Sequence, residues 1–269
     1  MIEPLVLAWA HPGTVSGRFM DSVMRLVLAS QAAVAQGVRQ DYVIAGYNYV
    51  EGGPRIASAR NRLVRDFLGA ERHKGVEWLL MLDADMVFDE SLLPALFETV
   101  RDEHGTLVNP IVGGLCIGGG HASAFPTMYR IVDPATNGGE PVRVITDFTL
   151  GDVVPVDATG AACLLVHRSV YEAMAGAFPE PVPWFAESVY LGREFGEDWT
   201  FCLRAGRLGF PIVVNTKAQV GHMKSMMMTV DTWRAGGATA PPVTPVKTAL
   251  APVIPINRQQ RRHPEMTRR

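Results

Sequence analysis

The chain of 269 residues is long enough for one large domain or two small ones, and its 48% hydrophobic content is enough for a substantial core. A formal net charge of −2 excludes a global bias toward nucleic acid. The balance is uneven, because residues 258–269 hold five Arg and one Glu, which leaves the body more acidic than the total suggests. Three cysteines, Cys116, Cys163 and Cys202, are odd in number and lack metal-ligand spacing. Reduced thiols and a cytoplasmic location are the simplest expectation. No run approaches the roughly 18 apolar residues of a membrane span, and no basic region followed by an apolar one opens the chain. Neither a transmembrane helix nor a signal peptide is expected.

Residues 5–10 read as a first strand closed by His11-Pro12-Gly13. Ser16 is placed to cap a helix whose apolar positions, Phe19, Val23, Leu26 and Val27, recur at helical spacing. Residues 41–47 predict a second strand, residues 51–54 a turn, and residues 56–68 a second amphipathic helix. The start of that helix is basic, with Arg55, Arg60 and Arg62. Residues 78–82 then form an apolar run of strand length that stops at two carboxylates, Asp83 and Asp85. A buried strand ending in acids offers hard oxygen ligands at the carboxyl edge of a sheet, where open α/β sheets bind ligands. Their charge suits Mg²⁺ or Mn²⁺ shared with a substrate's phosphates. An EF-hand loop is excluded: counted from Asp83, Phe88 and Pro94 stand where Gly and Glu are needed. Two other readings stay open, a phosphatase of the haloacid-dehalogenase type and a simple capping role for the helix that starts near Ser91.

Strand–helix alternation through residue 104 predicts a parallel sheet with right-handed crossovers. Residues 110–116 predict a further strand, and residues 124–132 and 141–148 a hairpin around Asn137-Gly-Gly139. Residues 161–166 read as a buried strand after Gly160, followed by a helix from Ser169. The proline-rich stretch 179–185 predicts a loop that presents Trp184 and Phe185 as a stacking platform. Gly196-Glu197-Asp198-Trp199 opens another helix, its acids favoured by the helix dipole. Residues 211–215 and 218–222 read as two last strands, the second presenting His222. Residues 235–269 hold six prolines and the arginine-rich end, a linker-like tail with no core of its own.

The order of these motifs carries a resemblance. An apolar strand ending in Asp-Ala-Asp, then Val156-Asp-Ala-Thr-Gly160, then Gly196-Glu-Asp-Trp-Thr-Phe-Cys-Leu-Arg-Ala205, then Val220-Gly-His222 resembles the GT-A nucleotide-sugar glycosyltransferases, glycosyltransferase family 2 and related bacterial and phage enzymes in particular. The similarity covers roughly residues 4–224. It implies an α/β fold with a mostly parallel central sheet flanked by helices and a small antiparallel element. The implied domain spans residues 1–234, with a nucleotide-binding half to about residue 108 and an acceptor-binding half from 109.

The resemblance also implies roles. Asp85 and His222 would bind a divalent cation, with Asp83 touching it or the ribose, and a mixed oxygen and nitrogen set favours Mn²⁺ over Mg²⁺. Pro12, Arg60, Asn61, Ala84 and Gly160 would line a UDP- or GDP-linked sugar donor, with Arg60 assisting at its diphosphate. Asp198 would be the catalytic base of an inverting enzyme, with Glu197 its rival. Trp184, Phe185 and Trp199 would border the acceptor, which could be a glycan, protein, lipid or modified nucleobase. His11-Pro12-Gly13-Thr14 departs from the family's Tyr- or Asn-containing nucleobase loop, so the resemblance does not specify the base. The arginine-rich tail would suit an anionic partner. Rival expectations are a metal-dependent phosphohydrolase or nucleotidyltransferase, and an inactive nucleotide-sugar-binding module.

Overall fold

The structure, a computed structural model, describes residues 2–38, 41–52, 55–119 and 123–224. The tail at 235–269, with its five arginines, lies outside them. A single compact unit spans Met1–Lys224.

The first half alternates as its periodicity predicts. Strand β1 (Glu3–His11) leads to α1 (Gly17–Ala35), β2 (Tyr42–Glu51) to α2 (Ile56–Gly69), and β3 (Trp78–Asp83) to the short β4 (Met86–Val87) and α3 (Leu92–Phe97). Ser16 caps α1, its hydroxyl accepting from the Phe19 N–H at 3.0 Å. Asp89 holds the entry to α3, accepting from the Ser91 N–H at 2.9 Å. Asp83 and Asp85 are thereby released from the capping role that their spacing allowed.

The second half is built from shorter pieces. Strands β5 (Ile111–Gly118), β6 (Phe125–Pro126), β7 (Met128–Ile131), β8 (Val142–Val144), β9 (Val153–Pro155), β10 (Ala158–Thr159) and β11 (Cys163–His167) precede α4 (Arg168–Ala177). A hairpin of β12 (Ser188–Tyr190) and β13 (Arg193–Phe195) leads into α5 (Glu197–Arg207) and β14 (Ile212–His222). The hairpin expected around Asn137 forms as the antiparallel pair β7–β8.

The central sheet has the order β2-β1-β3-β11-β5-β14-β4. Strands β1, β2 and β3 are mutually parallel, as are β5 and β14, whereas β11 runs antiparallel to both β3 and β5. The reversed β11 starts at the carboxyl edge, where the Ala162 carbonyl accepts from the Asp83 N–H at 3.0 Å. Gly160 is therefore delivered to the edge on which β3 ends. A small separate sheet, β10-β7-β8, lies off the main one.

Both faces of the sheet are covered, as a parallel sheet requires. Leu5, Leu7 and Trp9 alternate with Val6 and Ala8, and the two sets enter opposite cores. One core collects Phe19, Leu26, Leu93 and Phe97 from α1 and α3, the other Val64, Phe67, Tyr171 and Phe201 from α2, α4 and α5. In β3 every residue from Trp78 to Leu82 is buried, each large side chain contributing about 1.5–3 kcal/mol relative to exposure. The two strands expected at 211–222 are one, β14, with a shift in its pairing to β5 between Asn215 and Gln219. Asn215 accounts for the irregularity, because its side-chain amide donates to the Ala95 carbonyl at 2.6 Å and its oxygen accepts from the Lys217 N–H at 3.0 Å. Among the described residues no helix is long and apolar enough to cross a membrane.

Candidate active site

The carboxyl edge of the sheet gathers two groups of polar side chains. The first is Asp85 with His222. Asp85 sits in the tight turn between β3 and β4, and β4 pairs antiparallel with β14 so that His222 stands opposite Met86. The Met223 N–H donates to the Asp85 carbonyl at 2.9 Å, which ties the turn to the end of the last strand. His222 Nε2 lies 3.0 Å from Asp85 Oδ2, and Nδ1 lies 3.3 Å from the Ile117 carbonyl. The Ile117 carbonyl accepts only and so favours a proton on Nδ1; Asp85 also accepts only, so Nε2 meets it either through a proton or, as a lone pair, across a shared cation.

One carboxylate and one imidazole form a donor set suited to a divalent cation. Adjacent ligands on an octahedral cation with bonds of about 2.0–2.1 Å stand about 3 Å apart, and the pair has that spacing. Asp83 does not join them. Among the described residues no group of three or more His, Cys, Asp or Glu side chains is placed to hold a metal.

Asp83 belongs to the second group, which is organised by Arg60. The guanidinium is buried, donating through Nη2 to Asp83 Oδ1 at 2.7 Å and through Nη1 to Glu197 Oε1. Burial pulls the Arg60 pKa down, but Asp83, Glu197 and Asp198 together hold it above its ordinary value. A buried cation must be paired, and this one is paired twice within the protein. The diphosphate-neutralising role expected for Arg60 is corrected accordingly, since its two terminal nitrogens are committed to carboxylates.

Asp198 lies beside this group, in the first turn of α5. Its Oδ1 accepts from the Trp199 N–H at 2.8 Å. Burial raises its pKa above the ordinary carboxylate value, with Glu197 adding to the rise, while the attraction of Arg60 opposes it. A Cβ added at Gly160 would stand 3.7 Å from Asp198 Oδ2 and 3.5 Å from Thr127 Oγ1, which is ordinary contact. Gly160 is thus not forced by crowding; its missing side chain leaves Asp198 approachable. Glu197, by contrast, is engaged by Arg60.

Three other expectations change. Asn61 is buried and holds the backbone of Phe185 from both sides, donating to its carbonyl at 2.6 Å and accepting from its N–H at 3.3 Å. It is a structural clamp with no face left for a donor. Trp184 and Phe185 form no platform either. Both are buried, Trp184 donating from Nε1 to the Tyr171 carbonyl at 2.8 Å and Phe185 stacking on Phe201 at 4.8 Å between centroids. Each ring can bury some 150–250 Å², and that gain outweighs presentation on a loop. Pro12 is exposed in the turn after β1, and Ala84 is half-buried between the two acids.

Trp199, the third expected acceptor aromatic, lines a cavity. The space, about 750 Å³, lies between the small sheet and the β12–β13 hairpin. Its other aromatic walls, Phe125, Tyr129 and Phe195, were missed in the sequence. The local signal for them was the hairpin pattern of residues 124–132, which holds Phe125 and Tyr129. A second, more apolar groove of about 550 Å³ runs between α1 and β2, lined by Trp9, Met24, Leu28, Tyr47 and Tyr49 among others.

No family model matches the chain, and no curated protein matches it. Solved structures do. A197 from STIV matches at 14% identity over 84% of this chain and 97% of that one, with a TM-score of 0.42. A glycosyltransferase involved in the glycosylation of the major capsid of PBCV-1 matches at 13% identity over 82% and 95%, with a TM-score of 0.41. GalNAc-T7, solved with UDP, GalNAc and Mn²⁺, matches at 11% identity over 83% of this chain and 44% of that one, with a TM-score of 0.48. At such values no residue's role transfers, and the chemistry has to be read from this chain's own geometry.

Proposed function

We propose that the chain is a metal-dependent glycosyltransferase that moves a sugar from a nucleotide-sugar donor, UDP- or GDP-linked, to an acceptor hydroxyl with inversion. The observation that carries the reading is the meeting of two groups at one sheet edge: the Asp85–His222 pair, 3.0 Å apart, and the partly buried Asp198 carboxylate held next to Arg60. Residues 1–108 then supply the donor half and residues 109–224 the acceptor half.

Asp85 and His222 would hold the cation, with Mn²⁺ favoured over Mg²⁺ by the nitrogen ligand. When bound, it supplies Lewis-acid stabilisation of the negative charge that develops on the leaving diphosphate. Asp198 accepts the proton of the acceptor hydroxyl, which is a poor nucleophile until that proton is removed. Its raised proton affinity makes it a stronger base than an ordinary exposed carboxylate. Arg60 holds Asp83 and Glu197 in place, and its charge favours the ionised form of Asp198, partly offsetting the cost of burial. Three free, buried cysteines support a cytoplasmic setting.

The test is a thermal-shift screen of nucleotide sugars with and without Mn²⁺, followed by product analysis. Stabilisation that needs both the nucleotide and the metal, with release of a nucleoside diphosphate and sugar transfer, supports the reading. Release of phosphate or pyrophosphate instead would move the assignment to a phosphohydrolase or nucleotidyltransferase. Binding without turnover, whatever acceptor is supplied, would make the chain a nucleotide-sugar-binding module.

A further inference from the structure

Strand β2 is an edge of the central sheet. It pairs with β1 on one side, and among the described residues no strand pairs with its other side. The opposite end of the sheet is closed by β4, only two residues long. β2 lacks that protection. It runs for ten residues, Tyr42–Glu51, with neither a charge nor a proline before Glu51. Its one irregularity against β1 falls between Ile44 and Gly46, which leaves residues 46–51 in regular register. Edges of this length are normally blunted by Lys, Pro or a covering segment, because a row of free N–H and C=O groups is a template for another strand.

The face beside this edge is apolar and already ordered. Tyr47 and Tyr49 stack on Trp9 at 5.9 and 5.8 Å between centroids, with planes 23° and 17° apart, and on each other at 6.5 Å and 14°. Both tyrosines are nevertheless exposed, at 63% and 56%. Across the groove, Met24 and Leu28 stand one turn apart on α1, each 59% exposed. No Asp, Glu, Lys or Arg lines the groove. Asp21 and Arg25, on the same helix, are paired with each other at 2.9 Å.

We propose that this face binds a second copy of the chain, the two β2 strands pairing antiparallel about a twofold axis normal to the sheet and joining two sheets into one. Such an axis keeps the same face of both copies on the same side, so Tyr47 and Tyr49 of one copy lie beside those of the other, apolar against apolar. The two tyrosines offer roughly 250 Å² for burial and Met24 with Leu28 roughly 150 Å². With a strand edge about 33 Å long, the contact reaches roughly 600 Å² per copy, the lower end of specific interfaces, which points to micromolar association. An uncharged edge has nothing by which to select one foreign strand over another by charge, whereas a second copy always brings the same length and the same apolar face. The inference is independent of the transferase reading.

The experiment is sedimentation velocity on the full chain from about 1 to 100 µM, beside Tyr47→Lys and Leu28→Lys. Both substituted side chains are exposed and lie on different elements, so both variants should fold, which circular dichroism checks. The native chain should become dimeric toward the top of that range, and each variant should weaken association by about tenfold or more. Hydrogen exchange at the amides of residues 43–50 should slow with concentration in the native chain alone. A native chain that stays monomeric at 100 µM would overturn the proposal, as would a dimer that neither variant weakens. Slow exchange at those amides in the monomer would assign the edge to another segment of the same chain. Binding of the monomer to phosphatidylcholine vesicles, lost in both variants, would assign the patch to a lipid surface. Either of these results overturns the second copy as the occupant.

Discussion

His222 Nε2 stands 3.0 Å from Asp85 Oδ2, although 137 positions of chain separate the two residues. The contact depends on a two-residue strand, Met86–Val87, pairing with the end of β14. If the pair holds a cation, Asp85→Ala and His222→Ala should each abolish Mn²⁺-dependent stabilisation by a nucleoside diphosphate while leaving the fold intact. Thermal shift with and without metal reads this directly. Undiminished metal-dependent stabilisation in either variant removes that residue from the metal site.

Arg60 is the structural hub under the same edge. Arg60→Met would leave Glu197 and Asp198 without their cation, and removal of one partner of a buried pair costs about 3–5 kcal/mol. The lower end is expected here, because Asp83 is 34% exposed and water can take over its share. Arg60→Lys should recover only part of the loss, since an ammonium cannot span two carboxylates as a planar fork does. Urea unfolding at neutral pH is the measurement, and a loss below about 1 kcal/mol for Arg60→Met would contradict the hub role.

Asp198 links pH to both activity and stability. Its folded pKa lies above the unfolded value, so the native state holds its proton more tightly than the unfolded state does. Ionisation therefore costs stability as pH rises through that window, and the cost is fully present once pH exceeds the folded pKa. Asp198→Asn should raise the melting temperature at neutral pH, an advantage that disappears below the ordinary carboxylate range. The same substitution should lower transfer by about 10²–10⁴ while sparing donor binding. In the native enzyme the acid limb of the rate profile should fall above that ordinary range. A product whose anomeric configuration matches the donor's, seen by NMR, would refute inversion.

Asn61→Ala separates a clamp from a donor contact. With Phe185 losing its partners on both N–H and carbonyl, a destabilisation of about 1–3 kcal/mol is expected, with nucleotide affinity unchanged in the folded fraction. Weaker nucleotide binding at native stability, measured by calorimetry, would restore the donor role.

The three thiols offer a control on the core. Burial pushes Cys116 up to about 11 and Cys163 and Cys202 up to about 12. Almost no thiolate is present at neutral pH, so thiol reagents should modify none of the three until the chain unfolds. Rapid labelling of Cys116 in the native protein would show that the floor beneath the Asp85 turn opens.

Much of this molecule was legible locally. The Ser16 cap, the alternation of Leu5, Val6, Leu7 and Ala8, the β3 run ending at Asp83, and the turn at Asn137 each follow from forces within a few residues of chain. The approach of Asp85 to His222 was legible only as an order of motifs. Periodicity states which face of a segment is apolar but not which segment will cover it. The tertiary structure decided the remainder. It turned β11 antiparallel and so brought Gly160 to the edge next to Asp198. It also drew Trp184 and Phe185 into the core, because two large rings gain more from burial than from a loop tip. It took Arg60 out of reach of a donor, because a buried charge is stable only against opposite charge. Those charges lie 23 and 137 positions away, at Asp83 and Glu197, a distance no local pattern spans.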